Sequence, residues 1–146
     1  MKGYYPIFLQ LQGQPVVVVG AGKVAARKIR ALRSAGARVT VIAPEISAAI
    51  GRMRDIHLVR RAYRRGDLRG ACLVVAATDD LDVNRRVCAE AKRRRLLVNC
   101  AAPPDCGNFI VPSVVRRREF CIAISTFGEE PARAKRLRLW LERLLR

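Results

Sequence analysis

Aromatic residues are scarce in this chain, at 5% of 146 positions, and the sequence holds a single histidine, His57. The first shortage removes the stacking platform on which single-stranded nucleic acid is bound. No helix-turn-helix or RNA-module signature stands in its place, so no specific nucleic-acid partner is expected. The second leaves no Cys/His set of the kind that builds a structural zinc site, and no metal ligand is assigned. Acidic residues are also few, 12 against 29 Lys and Arg, which gives a formal net charge of +17. No apolar run approaches the ~18 residues of a membrane span. The start, Met1-Lys2-Gly3-Tyr4-Tyr5-Pro6, lacks the apolar stretch and cleavage site of a signal peptide. The expected location is cytoplasmic, with no membrane partner. The cysteines at 72, 88, 100, 106 and 121 form no C-x-x-C pair and are odd in number. In that compartment they are expected to be reduced and to pack as small hydrophobes.

What is present is a globular composition, 51% hydrophobic and 28% charged, with no low-complexity linker and no internal repeat. Hydrophobic periodicity alternates along the chain. Val16-Val17-Val18-Val19 is a β-branched run suited to a strand buried on both faces. Residues 24–35 read as a helix with Val24, Ala25, Ile29 and Leu32 on its apolar side, and Gly36 is placed to cap it. Strands are expected at 38–42, 57–61, 71–77 and 96–99, with helices at 45–53 and 80–94. The alternation β-α-β-α-β-α-β-α-β predicts a mostly parallel sheet with helices on both faces. After residue 107 the pattern changes. Residues 108–113 and 120–125 read as extended segments joined by the basic turn Arg116-Arg117-Arg118-Glu119. A last helix runs from Pro131 to Arg146 with Leu137, Trp140, Leu141 and Leu144 on one face. That face asks for a partner, most simply a second copy of the chain.

The segment Gly20-Ala21-Gly22-Lys23-Val24-Ala25 follows a predicted strand and opens a predicted helix. It fits G-x-G-x-x-A, the alanine form of the dinucleotide-binding fingerprint. Gly20 allows the tight turn, Gly22 lets backbone approach a pyrophosphate, and the helix N-terminus faces its charge. The fold class is therefore α/β of the Rossmann type, with a nucleotide-binding domain over 1–107 and an extended segment plus C-terminal helix over 108–146. At the end of the second strand stand Pro44 and Glu45. A carboxylate there suits a ribose hydroxyl, and no arginine is present to welcome a 2′-phosphate, so NAD is expected rather than NADP. Thr78-Asp79-Asp80 lies just past the fourth strand, where open parallel sheets bind ligands. The same residues also suit an N-cap with first-turn acids.

Several spaced segments together resemble one family. They are 6–11, 19–28, 76–80, Asn84, Val98-Asn99, 108–113 and Gly128-Glu129-Glu130-Pro131. In that order they are similar to precorrin-2 dehydrogenase, the siroheme-synthase N-terminal type, and the likeness covers nearly the whole chain. The resemblance implies an enzyme that oxidises precorrin-2 to sirohydrochlorin with NAD, often with ferrochelatase activity as well. It implies cofactor contacts at Lys23, Val24, Pro44 and Glu45, and a homodimer in which the chain after Phe109 exchanges contacts. A substrate with eight carboxylates gives the arginine excess a use, since guanidinium groups bind carboxylates through two parallel hydrogen bonds. The sequence departs from the family at residue 102. The resemblance implies an aspartate there, important for dehydrogenation and metal insertion, and this chain has Ala102. Asp105 is the carboxylate that would have to act in its place, and metal insertion is not expected. A binding protein for NAD and a tetrapyrrole, without turnover, is the alternative. Many relatives carry a further helical domain beyond the position of Arg146. In some a serine associated with phosphate-based regulation occupies the position of Thr126; here the plain reading is a turn residue.

Overall fold

The computed structural model describes residues 3–145. Its elements in chain order are β1 (Pro15–Val19), α1 (Lys23–Ser34), β2 (Arg38–Ile42), α2 (Ala48–Gly51), β3 (Ile56–Val59), β4 (Leu73–Ala76), α3 (Leu81–Arg93) and β5 (Leu97–Cys100). A 3-10 turn (Pro104–Cys106), β6 (Ser113–Arg116), β7 (Cys121–Ile124) and α4 (Pro131–Leu144) follow. The chain divides into two compact units: residues 7–109, and residues 110–145 together with 3–6. Met1, Lys2 and Arg146, the last of which the sequence pattern assigns to the final helix, lie outside the described residues.

In the first unit the strands form one parallel five-stranded sheet in the order β3-β2-β1-β4-β5. The valine run places β1 at the centre because it is apolar on both sides. Val16 and Val18 join Ala25, Ala26, Ile29 and Ile50 from α1 and α2 on one face. Val17 and Val19 join Val87, Cys88 and Ala91 of α3 on the other. Successive strands β1, β2 and β3 step outward in one direction, whereas β4 adds on the opposite side of β1. The strand order therefore reverses between β1 and β4, and ligands of such sheets bind outside the carboxyl ends of the strands at that point.

Three local expectations are corrected. The stretch 62–70, between the third and fourth strands, where the strand–helix alternation implies a helix, is a series of turns with Gly66 and Gly70 at positive φ. Arg61 clamps Asp67 through two hydrogen bonds of 2.7 and 2.8 Å, and the Gly66 N–H donates to Glu90 of α3 at 3.0 Å. Those partners satisfy the loop's polar groups without a helix. The helix expected over 45–53 is reduced to Ala48–Gly51, because Pro44 and Glu45 continue the loop after β2. The extended segment expected over 108–113 yields a strand only from Ser113. Asn108 instead covers the free edge of β5. The Val98 N–H donates to its Oδ1 at 2.8 Å, and its Nδ2 donates to the Leu96 carbonyl at 2.9 Å. A side-chain amide here does the work of a neighbouring strand.

In the second unit β6 and β7 pair antiparallel, and α4 packs on both. Arg117, in the basic turn between them, donates to the carbonyls of Glu142 at 3.1 Å and Leu145 at 3.3 Å. It thereby satisfies carbonyls that a helix end leaves open. The Tyr4 and Phe127 rings stack, with centroids 6.2 Å apart. No helix among the described residues is long and apolar enough to cross a membrane.

Candidate functional site

The glycine loop leaves β1 and turns sharply at Gly20, whose φ is +111° and whose N–H donates to the Ile42 carbonyl at 2.9 Å. A Cβ at this position would lie 2.2 Å from the Ala77 carbonyl oxygen and 2.8 Å from the Thr78 nitrogen. The turns after β1 and β4 are thus in backbone contact, and only glycine fits between them. Gly22 differs. Its backbone is extended, it is the N-cap of α1, and a Cβ there would meet nothing within 4 Å. The chain's own packing does not require glycine at 22, and the open space there has room for a phosphate.

The two longer helices that begin at this edge of the sheet, α1 and α3, are finished in different ways. At α3, Asp80 caps the helix, its carboxylate accepting from the Asp82 and Val83 N–H groups at 2.9 and 3.1 Å, and Asp82 adds a first-turn acid. At α1 no side chain caps the start and the first turn holds no acid. The first N–H groups and positive dipole end of α1 thus have no side-chain partner, an arrangement that suits an anion. Lys23 and Val24 stand exposed in that first turn, Val24 with 43% of its surface open. Pro44 and Glu45 are exposed just past β2. The Ser47 N–H donates to the Ala21 carbonyl at 3.4 Å, which brings this loop beside the glycine loop. The Ser47 hydroxyl is buried without a hydrogen-bond partner among the described residues. An open helix start, a glycine facing empty space and an orphaned hydroxyl together fit a dinucleotide laid across the ends of β1 and β2.

On the other side of the crevice the structure brings Thr78 and residue 102 together through a side chain that motif reading did not assign to the site. Asn84 is fully buried in α3. Its Oδ1 accepts from the Thr78 N–H at 3.0 Å, and its Nδ2 donates to the carbonyls of Thr78 at 3.0 Å and Ala102 at 2.8 Å. The sequence signal was an amide on the apolar stripe that Val87, Cys88 and Ala91 define. Asp79 is exposed beside this pair. Asp105 stands exposed in the 3-10 turn packed against β5 and α3, and it makes no side-chain hydrogen bond among the described residues. Cys100 donates its thiol to the Ala102 carbonyl at 3.3 Å. Burial raises the pKa of Cys100 and pushes that of Cys88 up to about 12, so both stay protonated thiols at neutral pH. Among the described residues no three His, Cys, Asp or Glu side chains are grouped to hold a metal ion.

Several known proteins are similar to this chain. A family model for NAD(P)-binding proteins matches residues 7–113. The siroheme synthase of Methylobacillus flagellatus is 43% identical over 146 residues, covering 96% of this chain and 31% of that protein. The siroheme synthase of Ectopseudomonas mendocina is 40% identical over 140 residues, covering 95% and 30%. The chain thus spans less than a third of the length of these curated relatives. Among solved structures, SirC, a precorrin-2 dehydrogenase, superposes with a TM-score of 0.84 at 34% identity, covering 97% of this chain and 71% of that one.

Proposed function

The chain belongs to the precorrin-2 dehydrogenase family of NAD(P)-binding proteins, and from that membership we propose that it oxidises precorrin-2 to sirohydrochlorin with NAD as the oxidant. The observation that carries this reading is the uncapped start of α1 behind Gly22, set where the strand order reverses. When bound there, the nicotinamide supplies the hydride acceptor, and the protein supplies orientation and electrostatics. Gly20, Gly22, Lys23 and Val24 hold the pyrophosphate end of the cofactor, with Thr78 and Asp79 across the crevice. Pro44 and Glu45 flank the adenosine ribose, where the Glu45 carboxylate opposes a 2′-phosphate and selects NAD over NADP.

The missing carboxylate at Ala102 divides the family's activities in this chain. Hydride transfer needs position and field above all, and proceeds without a ligand at 102. Metal insertion needs a group to face the metal, and alanine offers none. Asp105, three residues on and open to solvent, is the acceptor this loop retains for the proton released on oxidation. The protein works in the cytoplasm as a homodimer formed through residues 108–146.

An anaerobic absorbance assay with precorrin-2, with and without NAD, tests the reading on the chain itself, on Ala102→Asp and on Asp105→Asn. Sirohydrochlorin formed by the unmodified chain and lost in Asp105→Asn is the expected result. Turnover only in Ala102→Asp means that the family assignment holds but the natural site is disabled. Binding of NAD and tetrapyrrole without turnover in any form replaces the enzyme with a binding protein.

A further inference from the structure

Lys28 is the sixth residue of α1. It lies on the flank of the apolar stripe formed by Ala25, Ile29 and Leu32, and it is half-buried. Its Nζ donates to Asn99 Oδ1 at 2.6 Å. Asn99 is itself buried in β5, level with Val75 of β4 and one residue short of the strand end. The Asn99 Nδ2 donates to the Phe109 carbonyl at 3.2 Å, which fixes the orientation of the amide and turns its oxygen toward the lysine. Among the described residues no carboxylate lies within 4.0 Å of Lys28; the acids that form ion pairs all pair with arginines elsewhere. Burial lowers the pKa of Lys28, neighbouring Arg27 lowers it further, and Cys100 opposes both.

A cation drawn out of water and met only by an amide dipole is an unfavourable arrangement that a fold does not need for its own stability. One of the three ammonium donors is spent on Asn99, and the charge itself is unanswered. We propose that Lys28, oriented by Asn99, is the receiving site for a carboxylate of the substrate, on the β5 side of the crevice. The inference rests on the tetrapyrrole reading above, which supplies a ligand rich in carboxylates. The cofactor's pyrophosphate is the other anion near α1. The helix start that receives it lies five residues from Lys28, about 7.5 Å along the axis at 1.5 Å per residue. Two different anions are therefore assigned to two different parts of one helix. When the carboxylate arrives, its charge answers the ammonium at a half-buried position, where such a hydrogen bond is stronger than on the open surface.

The test uses the whole chain and two ligands measured separately: NAD by calorimetry, and uroporphyrin, an octacarboxylate tetrapyrrole, by fluorescence quenching. Lys28→Gln keeps a donor for Asn99 and removes the charge; Lys28→Arg keeps the charge. The expected result is that Lys28→Gln weakens uroporphyrin binding about tenfold or more, the loss of one charged hydrogen bond. Its NAD affinity stays unchanged, and Lys28→Arg retains most of the porphyrin affinity. Unchanged porphyrin binding in Lys28→Gln overturns the assignment, as does a loss confined to NAD. Equal losses in the Gln and Arg variants, both still folded by circular dichroism, also overturn it by making the role one of shape and not charge. Failure of the unmodified chain to bind either ligand is a different result, which removes the function proposed above.

Discussion

Gly20 and Gly22 belong to one motif, yet they are glycines for different reasons, and the difference is measurable. At Gly20 any side chain meets the backbone of Ala77 and Thr78, and the positive φ adds strain. Gly20→Ala is expected to lower stability by about 2 kcal/mol or more, read as a shift in the denaturation midpoint. At Gly22 a side chain enters open space, so Gly22→Asp is expected to fold and melt like the unmodified chain while NAD binding disappears by calorimetry. Unchanged NAD affinity in Gly22→Asp would remove the phosphate-loop assignment. Both glycines were legible in the sequence because the spacing has a direct backbone meaning. Asn84 and Lys28 were not assigned to the site, because their roles depend on residues 18 and 71 positions away along the chain.

Among elements, the loop from β3 to β4 shows how side-chain chemistry replaces regular structure. Glu90 of α3 is buried and accepts from the Gly66 N–H, from Arg94 Nε at 2.8 Å and from the Tyr63 hydroxyl. Burial alone would raise its pKa, but the hydrogen bonds from Tyr63, Arg94 and Gly66 outweigh burial and hold it below the ordinary carboxylate value. The hydrogen bond from Arg61 likewise lowers the pKa of Asp67, against the opposing effect of burial. A lowered folded-state pKa means that the unfolded chain takes up the proton first. The stabilisation is full above the ordinary carboxylate range, near pH 4, and is lost as the pH falls through the lower folded values. Thermal melting is expected to drop between neutral pH and about pH 3, and to drop less in Glu90→Gln. At neutral pH that variant starts roughly 1 to 3 kcal/mol less stable. An identical pH profile in the variant would show that this network does not anchor the loop.

On the scale of the whole molecule, the largest feature that the described residues leave unexplained is the outer face of α4. Leu137, Trp140 and Leu144 are 42%, 57% and 63% exposed, and they recur at the helical spacing of a single stripe. Ala134 is the one buried residue of that helix. An apolar stripe of this kind calls for a partner surface. Trp140→Glu with Leu144→Glu is expected to convert a dimer into a monomer in sedimentation equilibrium while leaving NAD affinity intact. A monomeric unmodified chain would end the homodimer reading. The net charge of +17 also acts at this scale. It attracts anionic ligands from a distance and weakens as salt is added, whereas Lys28 acts at contact.

The sequence by itself determined the parallel sheet and the place of the glycine loop, because each is written in adjacent residues or a short period. β2 lies where its pattern placed it, and Asp80 caps α3 as its type and position indicated. Only the tertiary structure decided that Asn84 joins Thr78 to Ala102, that Asn108 covers the edge of β5, and that the segment before β4 is not a helix. Those outcomes follow from hydrogen bonds made across the fold, where a buried amide or carboxylate takes whichever partners the packing brings within reach, and local pattern carries no record of them.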